Sequence, residues 1–160
     1  MLLVIDCKIW YNTRMLDYCE TQDEITKNPD AKRLMEEIAN GDVDAFAFMW
    51  VMWNWTHMYD DLVDRDKAVS IEDAAKWQVH LIETLSLNKF YINNSLHLLP
   101  LIISMFNRWI DGDALEKAGA KHTAQVVRCG DVDLYLSVAY LVGGWDHLRA
   151  VKDARRYDEI

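Results

Sequence analysis

Proline, glycine and cysteine are all scarce in this sequence of 160 residues, with 2, 6 and 3 copies. Because proline and glycine mark turns, their scarcity favours long helices over a turn-rich β fold. The three cysteines are odd in number and form no CxxC pair, which argues against both a disulfide framework and a cysteine-rich zinc site. A reducing compartment is therefore expected, and the protein is predicted to be cytoplasmic.

Long apolar runs and basic patches are also missing. The longest uninterrupted apolar run, Ala45 to Trp53, has nine residues, whereas a membrane-spanning helix needs about 20. The apolar run at the N-terminus is too short for a signal peptide and has no charged lead-in. The net charge is −9, and no basic stripe is present to meet a nucleic-acid backbone. Neither a membrane span nor a nucleic-acid partner is expected.

Large apolar side chains are abundant, by contrast. Hydrophobic residues make up 51% of the chain and include seven Trp and seven Met. No segment combines strand-like alternation with turn residues, so we predict a single all-α domain, residues 1–160, with six to seven helices. A first helix is expected around Trp10–Cys19, in an opening segment whose pattern is ambiguous. Capping and breaking residues place the other helices at Pro29–Asn40, Asp42–Asp64, Ser70–Leu87, Asn93–Asp111, Asp113–Arg128 and Val132–Arg156. Gly112 is predicted to stop the fifth of them, and Gly143-Gly144 to let another helix approach the last one.

The helix that ends near Asp64 carries a polar stripe. At 100° per residue, four polar residues fall within about 80° of one another, while the other faces of the helix are apolar. A helix that is apolar all round is usually buried, so polar groups aligned on it need a partner, a pocket or a metal. These four residues are Asn54, His57, Asp61 and Asp64. His57 is either a ligand or a hydrogen-bonded core residue.

Three carboxylates crowd the end of the same helix in a D-D-x-x-D pattern, Asp60, Asp61 and Asp64. Two carboxylates about 4–6 Å apart repel by roughly 3–4 kcal/mol at an effective dielectric constant near 20, and the helix C-terminus disfavours anions as well. A divalent cation would relieve both penalties, and Mg²⁺ prefers such oxygen ligands together with phosphate oxygens. The alternative is a solvated helix end whose acids are neutralised by Arg65 and Lys67.

Residues 57–66, HMYDDLVDRD, resemble the first aspartate-rich motif of trans-prenyl diphosphate synthases and related terpenoid synthases. The resemblance implies an all-α cavity in which Mg²⁺ or Mn²⁺, held by Asp60, Asp61 and Asp64, binds a diphosphate-bearing small molecule. Asn54 and His57 would extend the ligand site inward from these acids.

The last helix is expected to form the opposite wall of that cavity. Asp146 would contribute to the ligand site, and Arg149 would assist electrostatically if the protein is a catalyst. The chain is shorter than such synthases usually are, which favours a reduced relative that completes its cavity as a homodimer.

Two other functions fit the sequence. The first is a non-catalytic helical interaction protein, in which the polar stripe, including Asn54 and His57, meets another subunit. The second is an all-α nucleotide pyrophosphatase, in which Asp61 and Asp64 would act with Glu36 and Glu37 of the preceding helix. A ferritin-like di-iron site is not expected, because none of the five histidines follows a glutamate by three residues.

Overall fold

The computed structural model describes residues 29–65 and 67–153. The helix predicted at Trp10–Cys19 and the predicted end of the last helix near Arg156 lie outside the described residues. Within these two ranges the chain contains no strand, which confirms the all-α prediction. The described helices are α1 (Pro29–Ala39), α2 (Val43–Asp64), α3 (Ile71–Leu87), α4 (Lys89–Lys117), α5 (Lys121–Arg128) and α6 (Gly130–Asp153). None of these helices is long and apolar enough to cross a membrane.

The central helix is α2, which packs against α1, α3, α4 and α6. It begins where the sequence predicts, because Asp42 is its N-cap and accepts a hydrogen bond from the backbone N–H of Ala45 at 2.9 Å. The segment from Phe48 to Met52 is buried on every side, whereas His57 and Tyr59 are exposed. The all-round apolar part of α2 thus forms the core, and its C-terminal third reaches the surface.

A single residue, Asn88, separates α3 from α4. Its side-chain oxygen accepts a hydrogen bond from the backbone N–H of Tyr91 at 2.8 Å, and its amide nitrogen donates to the carbonyl oxygen of Asp44 at 2.8 Å. The first bond caps α4 and the second ties the corner between the two helices to the first turn of α2. Asn88 is completely buried.

The predicted break at Gly112 is wrong, because α4 continues to Lys117. Gly112 is buried, and a Cβ atom there would lie only 2.6 Å from Cγ of Arg128. The position therefore needs a glycine because the side chain of Arg128 lies across it. The chain leaves α4 later, around Gly119, which has the left-handed φ of +87°.

The prediction that Gly143-Gly144 lets another helix approach α6 is also wrong. A Cβ atom on Gly144 would have no neighbour within 4 Å in the described part of the chain, so no second helix approaches there. Instead Gly144 has φ 70° and ψ −163°, which interrupts α6. The space beside Gly143 is occupied by His147 of the same helix, whose Cβ would lie 2.4 Å from an added Cβ.

Candidate functional site

A pocket of about 260 Å³ lies beside the exposed end of α2, where α4, α5 and the start of α6 meet it. Five of its lining residues carry an imidazole, a carboxylate, a guanidinium or a thiol, and two others are large and apolar. The lining residues are Thr56, His57 and Asp60 from α2, Met105 and Trp109 from α4, and Arg128, Cys129 and Asp131 around the junction of α5 and α6.

Two contacts hold the start of α6 against this pocket. A Cβ atom on Gly130 would lie 3.2 Å from Cα of Met105, so any larger residue would push the two backbones apart by a few tenths of an ångström. The side chain of Arg108 donates to the carbonyl oxygen of Val127 at 3.0 Å and to the carboxylate of Asp133 at 2.7 Å. Together these contacts place Asp131, the residue after Gly130, at the wall of the pocket.

Asp131 is an acid of the pocket whose proton affinity is changed by the fold. Burial raises its pKa above the ordinary value of 3.8, although hydrogen bonds from the backbone and the charges of His57 and Arg108 act in the opposite direction. One carboxylate oxygen accepts the backbone N–H of Val132 at 2.9 Å. Because the pKa is raised in spite of these interactions, the folded protein does not fully compensate the negative charge of Asp131.

The raised pKa predicts how Asp131 affects stability. A carboxyl group that binds its proton more tightly in the folded state adds stability below its unfolded pKa of 3.8, and this contribution is lost as the pH rises through the folded pKa. We therefore expect Asp131→Asn to raise the free energy of unfolding at neutral pH. The difference from the wild type should shrink as the pH falls towards 3.8.

Urea denaturation of both proteins at several pH values measures this difference. A variant that is less stable than the wild type at neutral pH would contradict the prediction.

His57 lies at the mouth of the pocket, where it is exposed. Its Nδ1–H donates to the carbonyl oxygen of Trp53 at 2.8 Å, and the two rings are 4.1 Å apart between centroids. Because Nδ1 is used within α2, Nε2 is the ring nitrogen that can meet a ligand.

Arg128 and Cys129 are less available for chemistry than their positions suggest. Arg128 pairs with Glu116 at 2.6 Å, and its guanidinium carbon lies 5.8 Å from the centroid of Trp109. Cys129 donates its S–H to the carbonyl oxygen of Gln125 at 3.2 Å, and burial, followed by the charge of Asp131, raises the pKa of its thiol. Since the thiolate is the nucleophilic form, Cys129 is a poor nucleophile at neutral pH.

The residues of the polar stripe do not all face the pocket. Asn54 is 2% exposed and donates to the carbonyl oxygen of Trp50 at 2.8 Å, and no donor among the described residues reaches its side-chain oxygen. Asp61 pairs with Lys67 at 3.3 Å. Neither Asn54 nor Asp61 lines the pocket, whereas His57 and the neighbouring acid Asp60 do.

The side chain of Asp64 lies outside the described residues. Among the side chains that are described, no three His, Cys, Asp or Glu residues come together as a group that could hold a metal ion. The metal-binding role of Asp60, Asp61 and Asp64 together therefore stays a prediction.

The two residues expected on the opposite wall lie elsewhere in the fold. Asp146 and Arg149 are both exposed, and the guanidinium carbon of Arg149 is 6.0 Å from the ring centroid of Trp145. They follow the interruption at Gly144, in the part of α6 whose His147 reaches α1. Their assigned roles remain predictions, and neither residue lines the pocket at the end of α2.

The acids considered for a pyrophosphatase-like site also lie away from this pocket. Glu36 and Glu37 are exposed on α1, where they pair with Lys32 at 3.7 Å and Arg33 at 4.0 Å. Both pairs join residues one helical turn apart, an arrangement typical of a solvated helix surface.

Sequence reasoning did not select Asp131, Arg128 or Cys129. One signal was present: Gly-Asp-Val-Asp occurs at residues 41–44 and again at residues 130–133, each time at the start of a long helix. The two copies nevertheless differ in the structure. Asp42 caps α2 from outside the helix, whereas Asp131 lies within the first turn of α6 and lines the pocket.

No protein-family model, no functionally characterised protein and no solved structure matches this chain.

Proposed function

We propose that the protein binds a divalent cation, Mg²⁺ or Mn²⁺, between Asp60 and Asp131, and through that cation a diphosphate-bearing small molecule. The observation that supports this proposal is that these two carboxylates line one pocket although they belong to helices distant in the sequence. Asp60 comes from the exposed end of α2, and Asp131 comes from the first turn of α6.

Two protein carboxylates are sufficient for this kind of site. Mg²⁺ keeps several water ligands and is commonly held by one or two carboxylates together with the phosphate oxygens of a substrate. A cation would also offset the poorly compensated charge of Asp131, whose pKa is raised by burial. Nε2 of His57 is available as a further ligand, particularly for Mn²⁺, which accepts imidazole as well as oxygen.

The rest of the pocket makes diphosphate binding dependent on the cation. The guanidinium of Arg128 is neutralised by Glu116 at 2.6 Å and also lies 3.7 Å from Asp113. Without a bound cation, an anion entering the pocket would meet the poorly compensated carboxylate of Asp131, while the guanidinium of the pocket is already paired. Met105 and Trp109 provide an apolar wall for the organic part of the ligand.

The proposed function is binding of the diphosphate ligand without its chemical conversion. The thiol of Cys129 stays protonated because its pKa is raised, and Arg149 lies outside the pocket lining.

Calorimetry with MgCl₂, with pyrophosphate, and with both tests this function. We expect pyrophosphate to bind only in the presence of Mg²⁺ or Mn²⁺, and we expect Asp60→Asn and Asp131→Asn each to weaken that binding at least about tenfold, or 1.4 kcal/mol. Urea denaturation of Asp131→Asn, which we expect to be more stable than the wild type, establishes whether a loss of binding in this variant comes from unfolding.

Asp61→Asn is the matched control, because Asp61 is adjacent in sequence but pairs with Lys67 and does not line the pocket. Unchanged binding in Asp60→Asn and Asp131→Asn would refute the proposal. An equal loss of binding in Asp61→Asn would indicate that the cation binds at the D-D-x-x-D cluster instead of the pocket.

A further inference from the structure

α4 exposes an apolar face that no described helix covers. Leu96 is 88% exposed and Ile103 is 59% exposed, values that are high for aliphatic side chains within a helix. The exposed residues are spaced by 4, 3, 4 and 7 positions. We call this set of five the α4 face: Ile92, Leu96, Leu99, Ile103 and Ile110. The half-buried Phe106 borders the face, and its ring packs edge-on against Trp55 of α2 at 4.9 Å between centroids.

The stretch of α4 that carries this face has no formally charged side chain. From residue 90 to residue 107 the sequence contains no Asp, Glu, Lys or Arg, although charged residues make up 27% of the chain. The polar neighbours of the face are instead uncharged, with Asn93, Ser104 and Asn107 among them. Depletion of charge around an apolar centre distinguishes protein interfaces from the rest of a protein surface.

We propose that a second copy of this chain docks on the α4 face, with the two α4 helices antiparallel. Alternating steps of three and four residues produce a seam with an average period of 3.5 residues, which is the period at which two helices pack along their length. Four of its five residues are also related about residue 101. An antiparallel two-fold axis at that level places Ile92 opposite the partner's Ile110 and Leu99 opposite the partner's Ile103, with Leu96 nearest the partner's half-buried Phe106.

Electrostatics favours a second copy over other occupants. Each chain carries a net charge of −9, so two copies can approach closely only where their surfaces are uncharged. A membrane surface with anionic lipids would require Lys or Arg residues beside the apolar face, and on α4 the nearest in sequence lie at its two ends, Lys89 and Arg108. A positively charged partner would find no acidic side chain on α4 between Lys89 and Arg108.

The contact is a single helix-to-helix seam. From Ile92 to Ile110 it runs about 27 Å along the helix axis, and Pro100 lies on α4 beside its midpoint. Its five aliphatic side chains are each at least 45% exposed in the single chain, so a dimer would remove this apolar surface from water. The pocket at the end of α2 is not required for this contact, so failure of one proposal leaves the other standing.

Sedimentation equilibrium of the full chain at micromolar concentrations tests the dimer. We expect the wild-type protein to be dimeric and Leu96→Glu to raise the dimer dissociation constant at least tenfold. Leu96 is almost fully exposed, so this change removes little packing from the single chain. Ile71→Glu is the matched control, since Ile71 is 90% exposed at the first position of α3 and a glutamate there suits the helix N-terminus.

A charge-pairing experiment tests the antiparallel arrangement. Leu99→Glu and Ile103→Lys are each expected to dissociate the dimer, whereas a mixture of the two variants should form a heterodimer, because the arrangement places the new glutamate opposite the partner's new lysine. A monomeric wild-type protein, a Leu96→Glu variant that stays dimeric, or equal dissociation in Ile71→Glu would overturn the proposal. Failure of the mixture to associate would overturn the antiparallel pairing.

Discussion

Replacing Asn88 by alanine is expected to lower the free energy of unfolding by about 2–4 kcal/mol. The side chain of Asn88 is fully buried and makes two hydrogen bonds, one to the backbone N–H of Tyr91 and one to the carbonyl oxygen of Asp44. Alanine removes both bonds and leaves the buried N–H of Tyr91 without its acceptor. It also separates the corner between α3 and α4 from α2.

Ser70→Ala is the matched control for this change. Ser70 caps α3 through the backbone N–H of Asp73 at 3.0 Å, but it is exposed and water can replace it. Loss of an exposed cap of this kind costs about 1 kcal/mol. Urea denaturation of both variants measures the difference, and equal losses would show that the bond from Asn88 to α2 contributes nothing.

Replacing Gly144 by alanine is expected to lower the free energy of unfolding by about 1–3 kcal/mol. The reason lies in the backbone, because φ 70° and ψ −163° define a conformation that is almost restricted to glycine. No steric contact contributes, since an added Cβ would meet none of the described atoms within 4 Å. The whole effect should therefore be conformational.

The interruption at Gly144 directs the end of α6 towards α1. Beyond it, Nε2 of His147 lies 3.0 Å from the carbonyl oxygen of Ile38, one of the last carbonyls of α1, which have no partner within their own helix. Thermal denaturation of Gly144→Ala measures the loss of stability. The NMR signals of His147 show whether its contact with the carbonyl oxygen of Ile38 is kept. Ser137→Ala, on the same helix before the interruption, should leave both nearly unchanged, and an unperturbed Gly144→Ala would contradict the proposed strain.

Local interactions explain why much of the helical pattern could be predicted. The caps at Asp42 and Ser70 are confirmed because each hydroxyl or carboxylate reaches a backbone N–H three residues later, a contact that needs no other part of the fold. The burial of α2 between Phe48 and Met52 follows equally from its all-round apolar composition.

The predicted start of α4 at Asn93 is wrong, because the helix begins at Lys89 after its cap, Asn88. Two further wrong predictions concern glycines, because the same residue serves different physical purposes. Gly112 was predicted to end a helix, but it is buried beneath the side chain of Arg128, sixteen positions later in the sequence. Gly144 was expected to allow close packing, but it supplies a positive φ instead. Nothing in the neighbouring residues distinguishes these uses.

The amino-acid sequence alone determined the all-α class, the starts of α2 and α3 at the local caps Asp42 and Ser70, and the choice of the end of α2 as a place to look for a ligand. Only the tertiary structure decided which acids share a pocket. Asp61 and Asp60 are adjacent in sequence, but helical geometry turns their side chains about 100° apart, and only Asp60 lines the pocket with Asp131. The close approach of α6 to α4 at Gly130 brings these two carboxylates to one site, and such an approach depends on packing between residues far apart in the chain.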